Sequence, residues 1–155
     1  MPFPGTQTFP YSFKDTAVVI TNPALGGSPI VFAGEEGAGE FTVVMHSERT
    51  AHDTAADGNI MVSYLAGRSG ALNIRVQQVS ALHQALLDLY NILEGQSEQG
   101  NSTLWAATQI SLRSSVTNSQ HVLSGVSFSK IPDKPYAAQG QYVTWNLMAA
   151  NVVNS

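Results

Sequence analysis

The stretch "GALNIRVQQVSALHQALLDLYNILEG", Gly70 to Gly95, changes its hydrophobic period partway along. Leu72, Ile74 and Val76 alternate with Asn73, Arg75 and Gln77, the period of a strand with one buried and one polar face. From Ser80 onward Leu82, Leu86, Leu89 and Leu93 recur at helical spacing instead. Ser80 can cap the start and Gly95 can stop the end, so a helix is expected over about residues 80–94. Ala85, Tyr90 and the leucines then face inward, while His83, Gln84, Asp88 and Asn91 face outward. Such an amphipathic helix should lie on a sheet.

Strand signals surround this segment. "TAVVIT" (Thr16 to Thr21) is β-branched and ends in the turn cluster "NPALGGSP", after which "IVFAG" forms a short strand. "FTVVMHS" and "IMVSYLAG" flank a polar loop, and "LWAATQISLRS", "HVLSGVSFSKI" and "QYVTWNLMAANV" alternate apolar with small polar residues. The pattern predicts a mainly β fold: a barrel or sandwich of about seven or eight antiparallel strands with one flanking helix. The length of 155 residues suits a single domain over 1–155. Pro2, Pro4 and Pro10 make residues 1–13 an extended arm whose anchors are aromatic.

Composition narrows the function. Charged residues are 12% of the chain, about half the share of an average globular protein, so many outward positions are polar without charge. Such faces tolerate close approach by copies of themselves. The net charge of -4, with only 7 Lys and Arg and no basic cluster, argues against a phosphate-gripping nucleic-acid binder. The chain has no cysteine, which removes disulfides and thiolate chemistry and fits synthesis in a reducing compartment. No signal pattern and no apolar run of membrane-spanning length occurs, so a cytosolic origin is expected.

Candidate chemistry is sparse. "HSERTAHDTAADGNIMVSY" (His46 to Tyr64) concentrates histidines and acids, and His52, Asp53 and Asp57 offer metal-ligand types. His52 and Asp53 diverge in an extended chain, however, and "DGN" is a turn signal, which favours a hairpin with a projecting loop at 47–59. "GEEGAGE" lacks the Lys-Ser/Thr ending of a phosphate loop, and no Gly-x-Ser-x-Gly elbow appears. No enzyme, cofactor or metal is expected. An alternative is a small-ligand or glycan-binding barrel with Trp105 and Trp145 facing a cavity.

The order of pieces resembles the tail tube proteins of contractile-tailed bacteriophages. The likeness rests on "YSFKDTAVVI", on "ADG" (Ala56 to Gly58), on "GRSG" (Gly67 to Gly70) followed by an alternating strand and a leucine-rich helix, and on the closing "VSFSKIPDKPYAAQGQYVTWNLMAANV". The resemblance implies a β-barrel-like core with a flanking helix, shared with the type VI secretion tube protein. It implies six-membered rings stacked into a hollow tube inside a contractile sheath, with baseplate, tail terminator and tape measure proteins as partners. It further implies DNA passing through the lumen without sequence-specific binding, no membrane contact, and a place in the virion tail after synthesis in the host bacterial cytoplasm. The tube of a DNA-free contractile injection particle shares the fold and is a second alternative.

A stacking subunit needs bridges between rings and a channel wall that does not grip DNA. Phe3, Phe9 and Tyr11 of the arm, Glu48, Arg49, His52, Asp53 and Asp57 of the loop, and the C-terminal "NVVNS" are the expected bridges. Asn73, Gln77, Gln109, Ser111, Ser127, Thr144 and Asn146 are the expected lumen face, a neutral polar wall with a modest excess of acids.

Overall fold

The computed structural model describes residues 11–33, 38–100, 102–115 and 118–155. Among them the strands are β1 (Thr16–Thr21), β2 (Ile30–Ala33), β3 (Ala38–Met45), β4 (Thr50–Thr54), β5 (Ile60–Tyr64), β6 (Gly70–Gln77), β7 (Thr108–Ser114), β8 (Ser119–Phe128) and β9 (Tyr142–Asn154), with α1 (Ala81–Glu98) between β6 and β7. Seven strands form one antiparallel sheet in the order β2-β1-β7-β8-β9-β6-β3, and β4 and β5 form a separate two-stranded sheet.

The large sheet curls. β2 and β3 are its opposite edges, yet Phe32 on one and Phe41 on the other place their ring centroids 5.4 Å apart. The edges approach through side chains without a shared ladder, which makes a half-barrel. Its concave face is filled by Ile20, Leu72, Ile74, Ile110, Leu123, Trp145 and Leu147, all essentially inaccessible to solvent. The alternation seen in β6 explains this directly, since Leu72, Ile74 and Val76 are buried while Arg75 and Gln77 are exposed.

Helix α1 closes the core. Ser80 accepts the backbone N–H of His83 at 3.2 Å as the N-cap, and Leu82, Leu86, Leu89 and Leu93 are all buried against the sheet. Each such leucine contributes roughly 1.5–3 kcal/mol through lost apolar surface. The helix runs past Gly95 to Glu98, beyond the expected end. Outside, Gln84 donates to Asp88 at 2.9 Å across one turn.

His83 turns inward, contrary to its expected outward place. It is 3% exposed, and its Nδ1 accepts the indole N–H of Trp145 at 3.0 Å, which leaves Nε2 as the protonated nitrogen of a neutral ring. Nε2 itself is buried without a partner. Burial, and secondarily the charge of Lys134, hold the pKa of His83 below its ordinary 6.5. Buried Asn22 performs a second long-range tie. Its amide donates to Thr108 Oγ1 at 2.9 Å and to the Leu104 carbonyl at 3.1 Å, fastening the β1–β2 turn to the approach of β7.

Two glycines are required by close approach. A Cβ on Gly70 would sit 2.4 Å from the Val44 carbonyl, where β3 and β6 meet. Gly125 has φ +62° and faces Ala150, and around this pair the buried alternation of β8 and β9 changes phase: Leu123 is followed by Val126, and Ala149 by Val152. The C-terminal residues through Asn154 pair with β8, as His121 opposite Asn154 shows, so "NVV" is sheet and not a free arm.

Candidate functional site

Two surfaces emerge once the sheet is in place. The first is its convex face. Asn73 lies opposite Asn146, Thr144 opposite Arg75, Gln77 opposite Tyr142, and Ser127 opposite Met148. Gln109 and Ser111 of β7 lie opposite Thr21 and Val19 of β1. All seven residues expected on one polar wall share the side away from the core, because they alternate with buried partners on their strands. The wall is not purely polar: Met148, Val122 and Val44 are exposed as well. Nor do the described residues of this face show the expected excess of acids, since Glu40 stands beside Arg75 and Arg113 occupies the same face. The Arg75 guanidinium is stacked 4.3 Å above the Tyr142 ring, which limits its reach.

The second surface is the β4–β5 hairpin. Thr50–Thr54, expected as loop, is a strand paired residue by residue with Ile60–Tyr64, from Thr50 opposite Tyr64 to Thr54 opposite Ile60. The true turn is Ala55 to Asn59, closed by the Ala55 N–H to the Asn59 carbonyl at 2.8 Å. Gly58 has φ +90°, a left-handed position that favours glycine. Asp57 is occupied locally, its carboxylate accepting the backbone N–H and side-chain amide of Asn59.

The hairpin base is clamped. Arg49 donates to the Gly67 carbonyl at 2.9 Å and to the Tyr64 hydroxyl, and its guanidinium stacks on the Tyr64 ring. Ser47 and Ser69 hydroxyls meet at 2.8 Å. Arg49 therefore shapes its own subunit, whereas Glu48, His52 and Asp53 are exposed with no hydrogen-bonded side-chain partner among the described residues. Sequence reasoning singled out these charges and missed the apolar content of β5. Ile60, Met61, Val62, Tyr64 and Leu65 are all exposed, Tyr64 at 73%. The signal was available in "IMVSYL", which places large apolar residues on both alternations and so leaves no polar face.

Tyr11 is exposed just ahead of a short 3-10 turn at Phe13–Asp15, and residues 1–10 of the expected arm lie outside the described residues. Phe3 and Phe9 lie outside the described residues. Trp145 does not face a cavity, being sealed among His83, Tyr90 and Phe128, which removes one of the paired tryptophans of a glycan-binding barrel. Trp105 stands edge-on to Tyr90 beside an open groove of about 480 Å³ with Glu94 and Glu98 on its wall.

The convex wall and the projecting hairpin set the frame for comparison with known proteins. A chain of the PVC extracellular contractile injection system, from its sheath/tube terminator in the extended state, has a TM-score of 0.62 at 15% identity, covering 96% of this chain and 98% of that one. A chain of the PVC sheath-tube complex has a TM-score of 0.61 at 12% identity, covering 95% and 92%. A chain of the anti-feeding prophage baseplate has a TM-score of 0.58 at 14% identity, covering 96% and 97%. At such identities the likeness is one of fold. No curated protein matches. The family model of the bacteriophage PhiTE tail tube protein matches residues 8–154, and the chain therefore belongs to that tail tube family.

Proposed function

We infer that this tail tube subunit assembles as homo-oligomeric rings, six-membered as its resemblance implies, and that the rings stack into a hollow conduit for genome ejection. The observation that carries the stacking is the β4–β5 hairpin. A lone two-stranded sheet is marginal in water, and this one exposes Ile60, Met61, Val62 and Tyr64 with no core of its own to cover them. Contact with a neighbouring subunit supplies the missing cover. The convex sheet face, with Asn73, Asn146, Thr144 and Gln109, is assigned to the lumen because the concave face is already filled by α1 and the core. Apart from Arg75, which is stacked on Tyr142, and Arg113, the polar side chains named on this face are neutral and leave few fixed cations to hold passing phosphates. Sheath, baseplate and terminator proteins are the expected partners at the outside and ends of such a tube.

Negative-stain electron microscopy of the concentrated protein, with its mass in solution, tests the assignment. Rings or hollow tubes of uniform width are expected. A particle that stays monomeric at every concentration overturns self-stacking. Deleting residues 50–64, which stand outside the seven-stranded sheet, should leave the far-ultraviolet spectrum of a folded half-barrel and abolish long tubes.

A further inference from the structure

Asp57 is the only aspartate of the chain followed by glycine, and no asparagine is followed by one. A glycine amide has no Cβ beside it to shield it from the carboxyl carbon of the preceding residue, so this pair is the point of the chain most open to imide formation. It sits at the exposed tip of the hairpin, and a Cβ on Gly58 would meet nothing within 4 Å. Crowding therefore does not protect it. Local hydrogen bonds do. The Asn59 backbone N–H reaches Asp57 Oδ1 at 3.1 Å and the Asn59 side-chain amide reaches Oδ2 at 2.8 Å, so both carboxylate oxygens are held by one residue. The nitrogen that would attack is held as well, because the Gly58 N–H donates to the Ala55 carbonyl at 3.0 Å.

We propose that Asp57–Gly58 is a site of spontaneous isomerisation and that Asn59 guards it by fixing the carboxylate within the turn. In the reaction the Gly58 nitrogen forms a bond to Cγ of the protonated Asp57 carboxyl group. The nitrogen gives up its proton, the carboxyl hydroxyl departs, and the two leave as one water, closing a five-membered imide. Hydrolysis returns that water to one of the two ring carbonyls. Attack at Cγ restores aspartate, whereas attack at the Asp57 main-chain carbonyl leaves the chain running through the side chain as isoaspartate. Mass is unchanged over the whole sequence, and no oxidant or cofactor takes part. Ring closure requires the carboxyl to leave Asn59 and the Gly58 N–H to leave Ala55, so it proceeds only from an opened turn. Isoaspartate lengthens the main chain by one carbon inside a turn whose flanking pair is Thr54 opposite Ile60, which disturbs the β4–β5 register. A further consequence rests on the stacking role inferred above: a subunit with a misregistered hairpin is excluded from the tube.

The test follows isoaspartate in the full chain during warm incubation in mildly acidic buffer. The tryptic peptide of residues 50–68 is resolved from its equal-mass isomer by chromatography, and isoaspartate is counted by enzymatic methylation. In urea, isoaspartate should appear at Asp57 ahead of every other aspartate, and its absence there overturns the site. The folded protein should isomerise at least about tenfold more slowly than the protein in urea, and Asn59→Ala, which removes one hydrogen bond to a charged group, should recover most of that rate. Equal rates in folded and urea-unfolded protein overturn the guard, as does a folded Asn59→Ala protein that ages no faster than the parent. Aged protein is then concentrated and sedimented, and the pellet should be depleted of isoaspartate relative to the supernatant. Equal content in both overturns the exclusion from tubes and leaves the site and its guard standing. If the fresh protein gives no assemblies at all, the stacking reading falls and its consequence with it, while the peptide rates still decide the chemistry.

Discussion

Acidification should weaken the fold through one residue. In the folded chain His83 is neutral: its Nδ1 accepts the Trp145 indole N–H at 3.0 Å, and a second proton would have to go onto that nitrogen, setting donor against donor. Burial and then the nearby Lys134 charge lower its pKa, whereas in the unfolded chain it titrates near 6.5. The unfolded state therefore takes up a proton first as pH falls. The His83 contribution is complete above pH 6.5 and is lost as pH drops from there toward the lowered folded value. One proton of difference is worth about 1.4 kcal/mol per pH unit, so stability at pH 5.5 should fall below that at pH 7.5 by up to about 1.4 kcal/mol. Urea unfolding at both pH values, in dilute protein, measures this. In His83→Leu the drop should vanish, although Trp145 then loses its acceptor. A wild-type difference below about 0.3 kcal/mol, or an undiminished one in His83→Leu, would refute the linkage.

Other substitutions probe other parts of the same framework. Leu86→Ala, at a position with no solvent exposure, should cost about 2–5 kcal/mol by urea unfolding, since the helix and sheet cannot collapse fully onto the space. Gly70→Ala forces a Cβ to within 2.4 Å of the Val44 carbonyl, and should cost more than about 1 kcal/mol and loosen amide exchange along the β3–β6 ladder. Arg49→Ala removes the tie to Gly67 and Tyr64. It should leave global stability within about 0.5 kcal/mol while making residues 50–64 more sensitive to limited proteolysis.

Local pattern foretold most elements but not their neighbours. "TAVVIT" and the alternation of β6 gave strands because each has one buried face, and the leucine spacing with Ser80 gave the helix start. The helix end escaped because glycine weakens a helix without ending it when later amides keep their carbonyls: the Gln99 N–H reaches both Gly95 and Gln96. His83 escaped because its inward turn is decided by Trp145, 62 residues away. β4 escaped for a different reason. A two-stranded ladder exposed on both faces has no hydrophobic alternation to detect, and "TAHDT" is polar or small throughout. The pairing of β1 with β7 and of β6 with β9 is non-local, so sheet order lay beyond the sequence pattern. The candidate bridges of the 47–59 loop were chosen for charge, and Arg49 and Asp57 proved to be used within the subunit. The exposed apolar residues of β5, Ile60, Met61 and Val62, were passed over although "IMVSYL" leaves no polar face, because the reading of this segment followed its charges.

The two tryptophans occupy opposite environments, and this makes the molecule its own optical instrument. Trp145 is sealed in the core against the imidazole of His83, so its emission should lie toward the blue and be quenched as that ring gains a proton. Trp105 is only partly covered, at the margin of α1 beside Glu94 and Glu98. One indole thus reports the state of the fold and the other the state of the helix-side surface. Replacing either with phenylalanine would separate unfolding from any event that covers the helix, with no added dye or label.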